Sequence, residues 1–267
     1  MKPSPFGYEA PTSLDEALLL RKELGSEATI LAGGQSLVPM LNMRLAAPEV
    51  LIDLGNLDEL RYIRATSEGI AVGAMTTHRM LERSSEAYAI CPLLRESLEF
   101  VAHSIIRNRG TVGGSIAHAD PAAELPAVLV ALGGKVTVQS LRGKREIAAE
   151  DFFKFHFTTS LDPDEILTEV WFPAVPPGAG SAFLEVSRRH GDYALVGVAC
   201  MAKDKIVRLA FTGVGTTPIL VETDDSDIAA SKVNPVDDIH ATAEYRRQLV
   251  RSLTERAVSQ ARSGAFR

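Results

Sequence analysis

The stretch Ala28-Thr-Ile-Leu-Ala-Gly-Gly-Gln-Ser-Leu37 decides how the rest of the chain is read, because it passes from a strand into a turn able to hold an anion. Ile30 and Leu31 are apolar and β-prone, Gly33 and Gly34 free the backbone, and Ser36 is placed to cap a following helix. Where Cβ is missing, successive N–H groups can converge on a phosphate oxygen at contact distance. A second stretch, Thr111-Val-Gly-Gly-Ser115, offers the same chemistry later in the chain. One Gly-Gly pair reads equally as an ordinary tight turn; two in this form suit a ligand with two linked phosphates.

The 267 residues suffice for a sizeable core and two or three compact units. Hydrophobic content of 46% and charged content of 23% exclude a disordered or fibrous chain. A net charge of −6 argues against nucleic acid, which needs a basic face. No apolar run approaches the roughly 18 to 20 residues of a membrane span, and Met1-Lys-Pro-Ser-Pro-Phe-Gly7 has no signal-peptide core, so a cytoplasmic location is expected. Cys91 and Cys200 stand far apart among apolar residues and read as buried free thiols. Two cysteines cannot ligate an iron–sulfur cluster, so any such cluster belongs to a partner.

Upstream of the first glycine pair, Ser13-Leu-Asp-Glu16 has the form of a capping box, Leu14, Ala17, Leu18 and Leu24 form a helical stripe, and Gly25 ends it. Downstream, Leu37, Met40, Leu41 and Leu45 predict a short helix and Val50-Leu-Ile-Asp53 a strand. A hairpin is expected between Tyr62-Ile63 and Ile70-Ala-Val72, then one helix after Thr76-Thr77 and another starting at Pro92 and buried through Leu93, Leu94, Leu98 and Val101. Lys135–Gln139, Arg145–Ile147, Ile166–Trp171, Phe183–Val186 and Ile206–Phe211 read as strands. Three prolines and two glycines in Phe172-Pro-Ala-Val-Pro-Pro-Gly-Ala-Gly180 mark the main boundary, and a last helix should align Tyr245, Leu249, Leu253 and Ala257. The expected division is 1–53, 54–174 and 175–267.

Several motifs fail on inspection. Gly213-Val-Gly-Thr-Thr-Pro218 has proline where a dinucleotide fingerprint needs its third glycine, and Gly113-Gly-Ser-Ile-Ala117 misses the nucleophile-elbow pattern at its last residue. The six histidines lack the spacing of a helical zinc pair. His118 stands out for following the second glycine pair, with a role in orienting that loop. Asp120-Pro-Ala-Ala-Glu124 reads either as an Asx-Pro turn or N-cap before the apolar run Val128–Leu132, or as a carboxylate directed at ligand hydroxyls.

Taken together, Ala32-Gly-Gly-Gln-Ser36 with Pro39 and Arg44, then Arg107-Asn-Arg-Gly-Thr-Val-Gly-Gly-Ser-Ile-Ala-His-Ala-Asp-Pro-Ala-Ala-Glu-Leu-Pro126, resemble the FAD-binding medium subunit of the molybdenum hydroxylases. Within the wider xanthine dehydrogenase family, the likeness points to the carbon monoxide dehydrogenase group. It continues through Arg188-Arg-His-Gly-Asp-Tyr-Ala194 and Ala243-Glu-Tyr-Arg-Arg247.

The resemblance implies an α+β chain: a two-subdomain FAD-binding fold of the vanillyl-alcohol oxidase (PCMH) type, then a C-terminal antiparallel sheet with helices. It assigns cofactor contacts to Ala32, Gly33, Gly34, Gln35, Ser36 and Leu37, and to Thr111, Val112, Gly113, Gly114, Ser115 and Ala117. Asp120 and Glu124 follow as cofactor contacts, with Leu167 approaching the ring and Tyr193 packed beside the isoalloxazine. Gln35 departs from the histidine frequent in the carbon monoxide enzymes, and Leu184 stands where some xanthine-oxidising relatives carry a cation. No residue is implied as a catalytic acid or base, and no metal ligand. Hydroxylation is expected at a molybdopterin on a large subunit, with electrons reaching FAD through two [2Fe–2S] clusters of a small subunit, in a dimer of heterotrimers. A free-standing FAD oxidoreductase of the same superfold, and a non-redox nucleotide-binding module, are the alternatives the residues leave open.

Overall fold

The computed structural model describes residues 2–264. The first unit runs β1 (Gly7–Glu9), α1 (Leu14–Leu24), β2 (Ala28–Leu31), α2 (Leu37–Asn42) and β3 (Val50–Asp53), with both outer strands parallel to β3 in the order β1-β3-β2. Ser13 caps α1 by accepting from the Glu16 N–H, and Gly25 ends it at φ 51°. The Glu16 carboxylate reaches past Ser13 to the N–H and hydroxyl of Thr12, so the box closes one residue early. Leu14, Ala17 and Leu18 then bury against Ile52, Leu54 and Leu57. α2 stops at Asn42, which leaves Leu45 outside it and 70% exposed.

The second unit comprises β4 (Ile63–Thr66), β5 (Gly69–Gly73), α3 (His78–Glu82), α4 (Ser85–Ile90), α5 (Pro92–Leu98), α6 (Ser104–Arg107), α7 (Val112–His118), α8 (Glu124–Leu132), β6 (Lys135–Ser140), β7 (Gly143–Ala148), α9 (Ala149–Phe152), β8 (Phe153–Phe155), β9 (Thr158–Thr159) and β10 (Ile166–Pro173). Its five-stranded antiparallel sheet has the order β4-β5-β10-β6-β7. The predicted hairpin and the proline-started α5 are present; α4 and α6 were not expected.

The third unit is a four-stranded antiparallel meander of β11 (Gly180–Ser187), β12 (Ala194–Lys203), β13 (Ile206–Thr212) and β14 (Ile219–Glu222), followed by α10 (Ser226–Lys232) and α11 (Ala243–Gly264). α11 buries Arg246, Val250, Leu253, Thr254, Ala257, Val258 and Ala261 against one face of the meander. Tyr245 is 48% exposed, so the buried stripe is turned by about one residue from the expected one. α8 covers the opposite face of the meander and also packs on α5 and β10. Every residue of α8 is therefore buried, which explains its all-round apolar sequence. Phe183, Ala199 and Ala210 share one core with Ile70, Val72 and Val170 of the preceding sheet. Cys91 and Cys200 are buried and free. No helix among the described residues is long and apolar enough to cross a membrane.

Candidate functional site

The end of β2, the segment after β5 and the start of α7 converge because three glycines remove the side chains that would separate them. A Cβ at Gly33 would overlap the Arg109 carbonyl, one at Gly113 would lie 2.5 Å from Ala74 Cβ, and one at Gly114 would lie 2.7 Å from Thr111 Oγ1. His78 N–H donates to Gly110 O (2.9 Å), Val112 N–H to Thr76 O (2.9 Å) and Gly113 N–H to Ala74 O (3.0 Å), which fastens the second motif to the strand end.

The two motifs are not equivalent. Val38 and Met40 donate to Gly34 O and Ser36 O, yet the N–H groups of residues 33–37 have no acceptor among the described residues. Gly34 at φ 73° turns the backbone there, and Gln35 Nε2 folds back onto Gly33 O (3.0 Å). Thr111-Val-Gly-Gly-Ser115, expected as a loop, is the start of α7: Thr111 is its N-cap, and its Oγ1 accepts from Gly114 N–H (3.0 Å). The N–H groups of Val112, Gly113, Gly114 and Ser115 each meet a protein acceptor, whereas those of the first motif do not. Nor does Ser36 cap α2 through its hydroxyl.

Above these segments opens a cavity of about 850 Å³. Ala32, Gly33, Gly34, Gln35, Ser36 and Leu37 line it, as do Thr111, Gly113, Gly114, Ser115 and Ala117, together with Asp120, Glu124, Leu167 and Tyr193. Val112 does not: it is fully buried in the core below. The glycine at 113 lets α7 sit on Ala74, and that close seating turns the valine inward.

Asp120 makes the predicted Asx turn, its Oδ1 accepting from Ala122 N–H (2.8 Å). The turn is held from below by Thr212, whose hydroxyl lies 2.6 Å from Pro121 O and 3.0 Å from Ala123 O. Ala123, not Asp120, is the N-cap of α8, and Glu124 is its first residue. Glu124 is buried, and burial pushes its carboxyl up to about 7.

Residues unmarked by any motif complete the wall: Met75 and His78 beside β5, Arg21 on α1, and Phe157. Burial pushes His78 down to about 4, so it stands as a neutral ring in the wall at pH 7. Arg21 donates to Gly25 O (2.9 Å) and Ala28 O (2.6 Å). Phe157 adopts φ 52°, donates its N–H to Ala119 O (3.1 Å) and stacks on His118 with ring centroids 4.9 Å apart. Nothing in the sequence around Phe157 signals this, because the conformation is imposed by the contact with Ala119. Among the described residues no group of His, Cys, Asp and Glu could hold a metal ion.

A large, mostly apolar cavity with a row of free N–H groups and one buried carboxyl fits an elongated dinucleotide carrying phosphates and hydroxyls. Residues 4–175 match the family described as the FAD binding domain in molybdopterin dehydrogenase. The chain belongs to that family, and FAD is its cofactor. It is 41% identical to the 6-hydroxypseudooxynicotine dehydrogenase complex subunit alpha of Paenarthrobacter nicotinovorans, over 98% of this chain and 96% of that one. It is 39% identical to the nicotine 6-hydroxylase medium subunit of the same organism, over 98% and 99%. A chain of carbon monoxide dehydrogenase from Hydrogenophaga pseudoflava superposes with TM-score 0.94 at 34% identity, covering 98% of this chain and 99% of that one. The two nicotine-related sequences thus exceed the carbon monoxide enzyme in identity.

Proposed function

We propose that this chain is the FAD-carrying electron-transfer subunit of a cytoplasmic molybdenum hydroxylase. It takes electrons from [2Fe–2S] clusters of a small partner subunit and passes them to an external acceptor. A large partner subunit carries the molybdopterin where the organic substrate is hydroxylated, and two heterotrimers associate. Residues 1–53 and 54–174 form the two FAD-binding subdomains, and 175–267 the C-terminal domain. The observation that carries this reading is the cavity in which both glycine motifs, Glu124 and Tyr193 meet. The full-length likeness to a medium subunit and to a dehydrogenase-complex subunit supports the assembly.

FAD supplies the redox chemistry when bound, and the protein supplies position and electrostatics. The free N–H groups of residues 33–37 present partial positive charge to the pyrophosphate without a counter-cation that would need desolvating. Thr111 and Ser115 offer hydroxyls from α7, and Glu124 accepts from a cofactor hydroxyl or N–H. Ala117, Leu167 and the neutral His78 exclude water from the floor. Tyr193, 66% exposed at the rim of the cavity, would pack beside the isoalloxazine.

The test is purification of a tagged copy from its native host. Co-purification of two further polypeptides, with molybdenum and FAD in equal amounts and iron present, is expected. A chain that carries FAD alone and is active on an organic substrate would establish the free-standing enzyme instead.

A further inference from the structure

The turn that presents Glu124 is held by Thr212, and the methyl of Thr212 borders the slot of a second carboxyl, Glu185, that no motif marks. Glu185 lies on β11 opposite Gly197 of β12, on the strand face it shares with Phe183. A Cβ at position 197 would stand 3.6 Å from Glu185 Oε2 and 2.6 Å from Thr212 Cγ2, so the glycine leaves the slot the carboxyl occupies. Glu185 Oε2 is sealed from solvent, and no donor among the described residues reaches it. Glu124 belongs to the cavity wall; Glu185 does not.

Among the described residues no cation pairs with either carboxyl. Glu124 is the charge that acts on Glu185, and Asp120 in turn acts on Glu124. From α5 comes Glu96, whose Oε2 accepts from the Phe183 N–H at 2.8 Å. β12 and β13 contribute Gly197 and Thr212, and α8 beyond Glu124 is apolar to Leu132. Neither Glu124 nor Glu185 takes part in a salt bridge among the described residues. A carboxyl oxygen sealed without a donor, with no cation beside it, favours the protonated acid, so Glu185 is the group placed to hold a proton at neutral pH.

We propose that Glu185 is a positioning residue that keeps this proton, so that Glu124 alone carries the charge and accepts a hydrogen bond from a hydroxyl or N–H of bound FAD. The inference rests on the FAD reading above. The order of titration agrees with it: burial and the neighbouring Glu124 push Glu185 up to about 9, whereas burial pushes Glu124 up to about 7. Above pH 9 the pair acquires a second negative charge behind the anionic cofactor, and FAD should be held more weakly.

The experiment is a fluorescence titration of FAD into the flavin-free chain from pH 7 to pH 10, for wild type, Glu185→Gln and Glu185→Ala. The wild-type Kd should rise by up to about tenfold per pH unit above pH 9, the limit for one linked proton. Both variants should lose that rise, the alanine variant serving if glutamine disturbs the slot. Independently, the infrared difference between wild type and Glu185→Gln at pH 8 should show the carbonyl band of a protonated carboxylic acid. A variant Kd profile that tracks the wild type, or absence of that band, overturns the role of Glu185. A wild-type chain that binds no FAD at any pH overturns the FAD reading and the inference together.

Discussion

The α-carbon of Gly33 faces the carbonyl of Arg109 so closely that a Cβ would overlap it. The glycine therefore serves first to let the segment after β2 pack against the segment before α7, and only through that contact to set the free N–H groups at the cavity. Gly33→Ala should then destabilise the flavin-free protein as well as weaken FAD binding. Overpacking of this kind costs about 1 to 3 kcal/mol, or roughly 2 to 4 °C in Tm per kcal/mol for a chain of this length. Thermal unfolding of the flavin-free variant decides the matter: an unchanged Tm with lost FAD would mean that the glycine serves the phosphates directly.

Thr212 links the C-terminal meander to the cavity through its two carbonyl contacts. Thr212→Val keeps the shape and leaves the Ala123 carbonyl without its donor, at about 1 to 3 kcal/mol, while Pro121 O keeps the Gly213 N–H at 2.8 Å. Because that turn carries Asp120 and Glu124, FAD retention should fall with stability. Calorimetry with and without FAD measures both, and a variant unchanged in both would detach the meander from the site.

Tyr193 stands at the rim, so Tyr193→Ala should bind FAD in full amount yet alter its absorption band, fluorescence or rate of reoxidation. Spectra and rates identical to wild type would return Tyr193 to a purely structural place.

The flavin-free chain should be most stable in mildly acidic solution. His78, held down at about 4 against an ordinary value of 6.5, contributes stability that is fully present above pH 6.5 and is lost as pH falls toward 4. Glu124, held up at about 7, contributes oppositely: its share is present below pH 4.5 and is lost as pH rises through 7. Chemical denaturation from pH 4 to pH 9 should show Glu124→Gln reducing the loss on the alkaline side while leaving the acid side unchanged, the remaining alkaline loss belonging to Glu96 and Glu185. An equal change on both sides would contradict this assignment of charge.

Both glycine motifs, the strand at Ala28–Leu31, the hairpin after Tyr62 and the proline-started helix α5 were legible because each carries a local signal of turn chemistry or periodicity. The longest strand, β12, was missed because it is buried on both faces and shows an apolar run without alternation. α7 reads as a loop in the sequence because its glycines disfavour a helix, and only the contacts with Ala74 and Thr76 supply the compensation. Many of the residues that line the cavity carry a motif in the sequence. Met75, His78 and Phe157 do not, since each reaches the cavity through tertiary packing, and Val112 was misplaced because a motif does not say which way a helix turns its valine.

The most direct test of the account is anaerobic loss of the flavin band near ~450 nm, the absorption expected of an oxidised flavin held by the protein. The FAD-loaded chain alone should keep the band when offered N-heterocycles, aldehydes or carbon monoxide. The same chain reassembled with the proposed iron–sulfur and molybdopterin subunits should lose it with the substrate of the complex. Bleaching of the isolated chain by any of these compounds, with iron and molybdenum shown to be absent, would contradict the account.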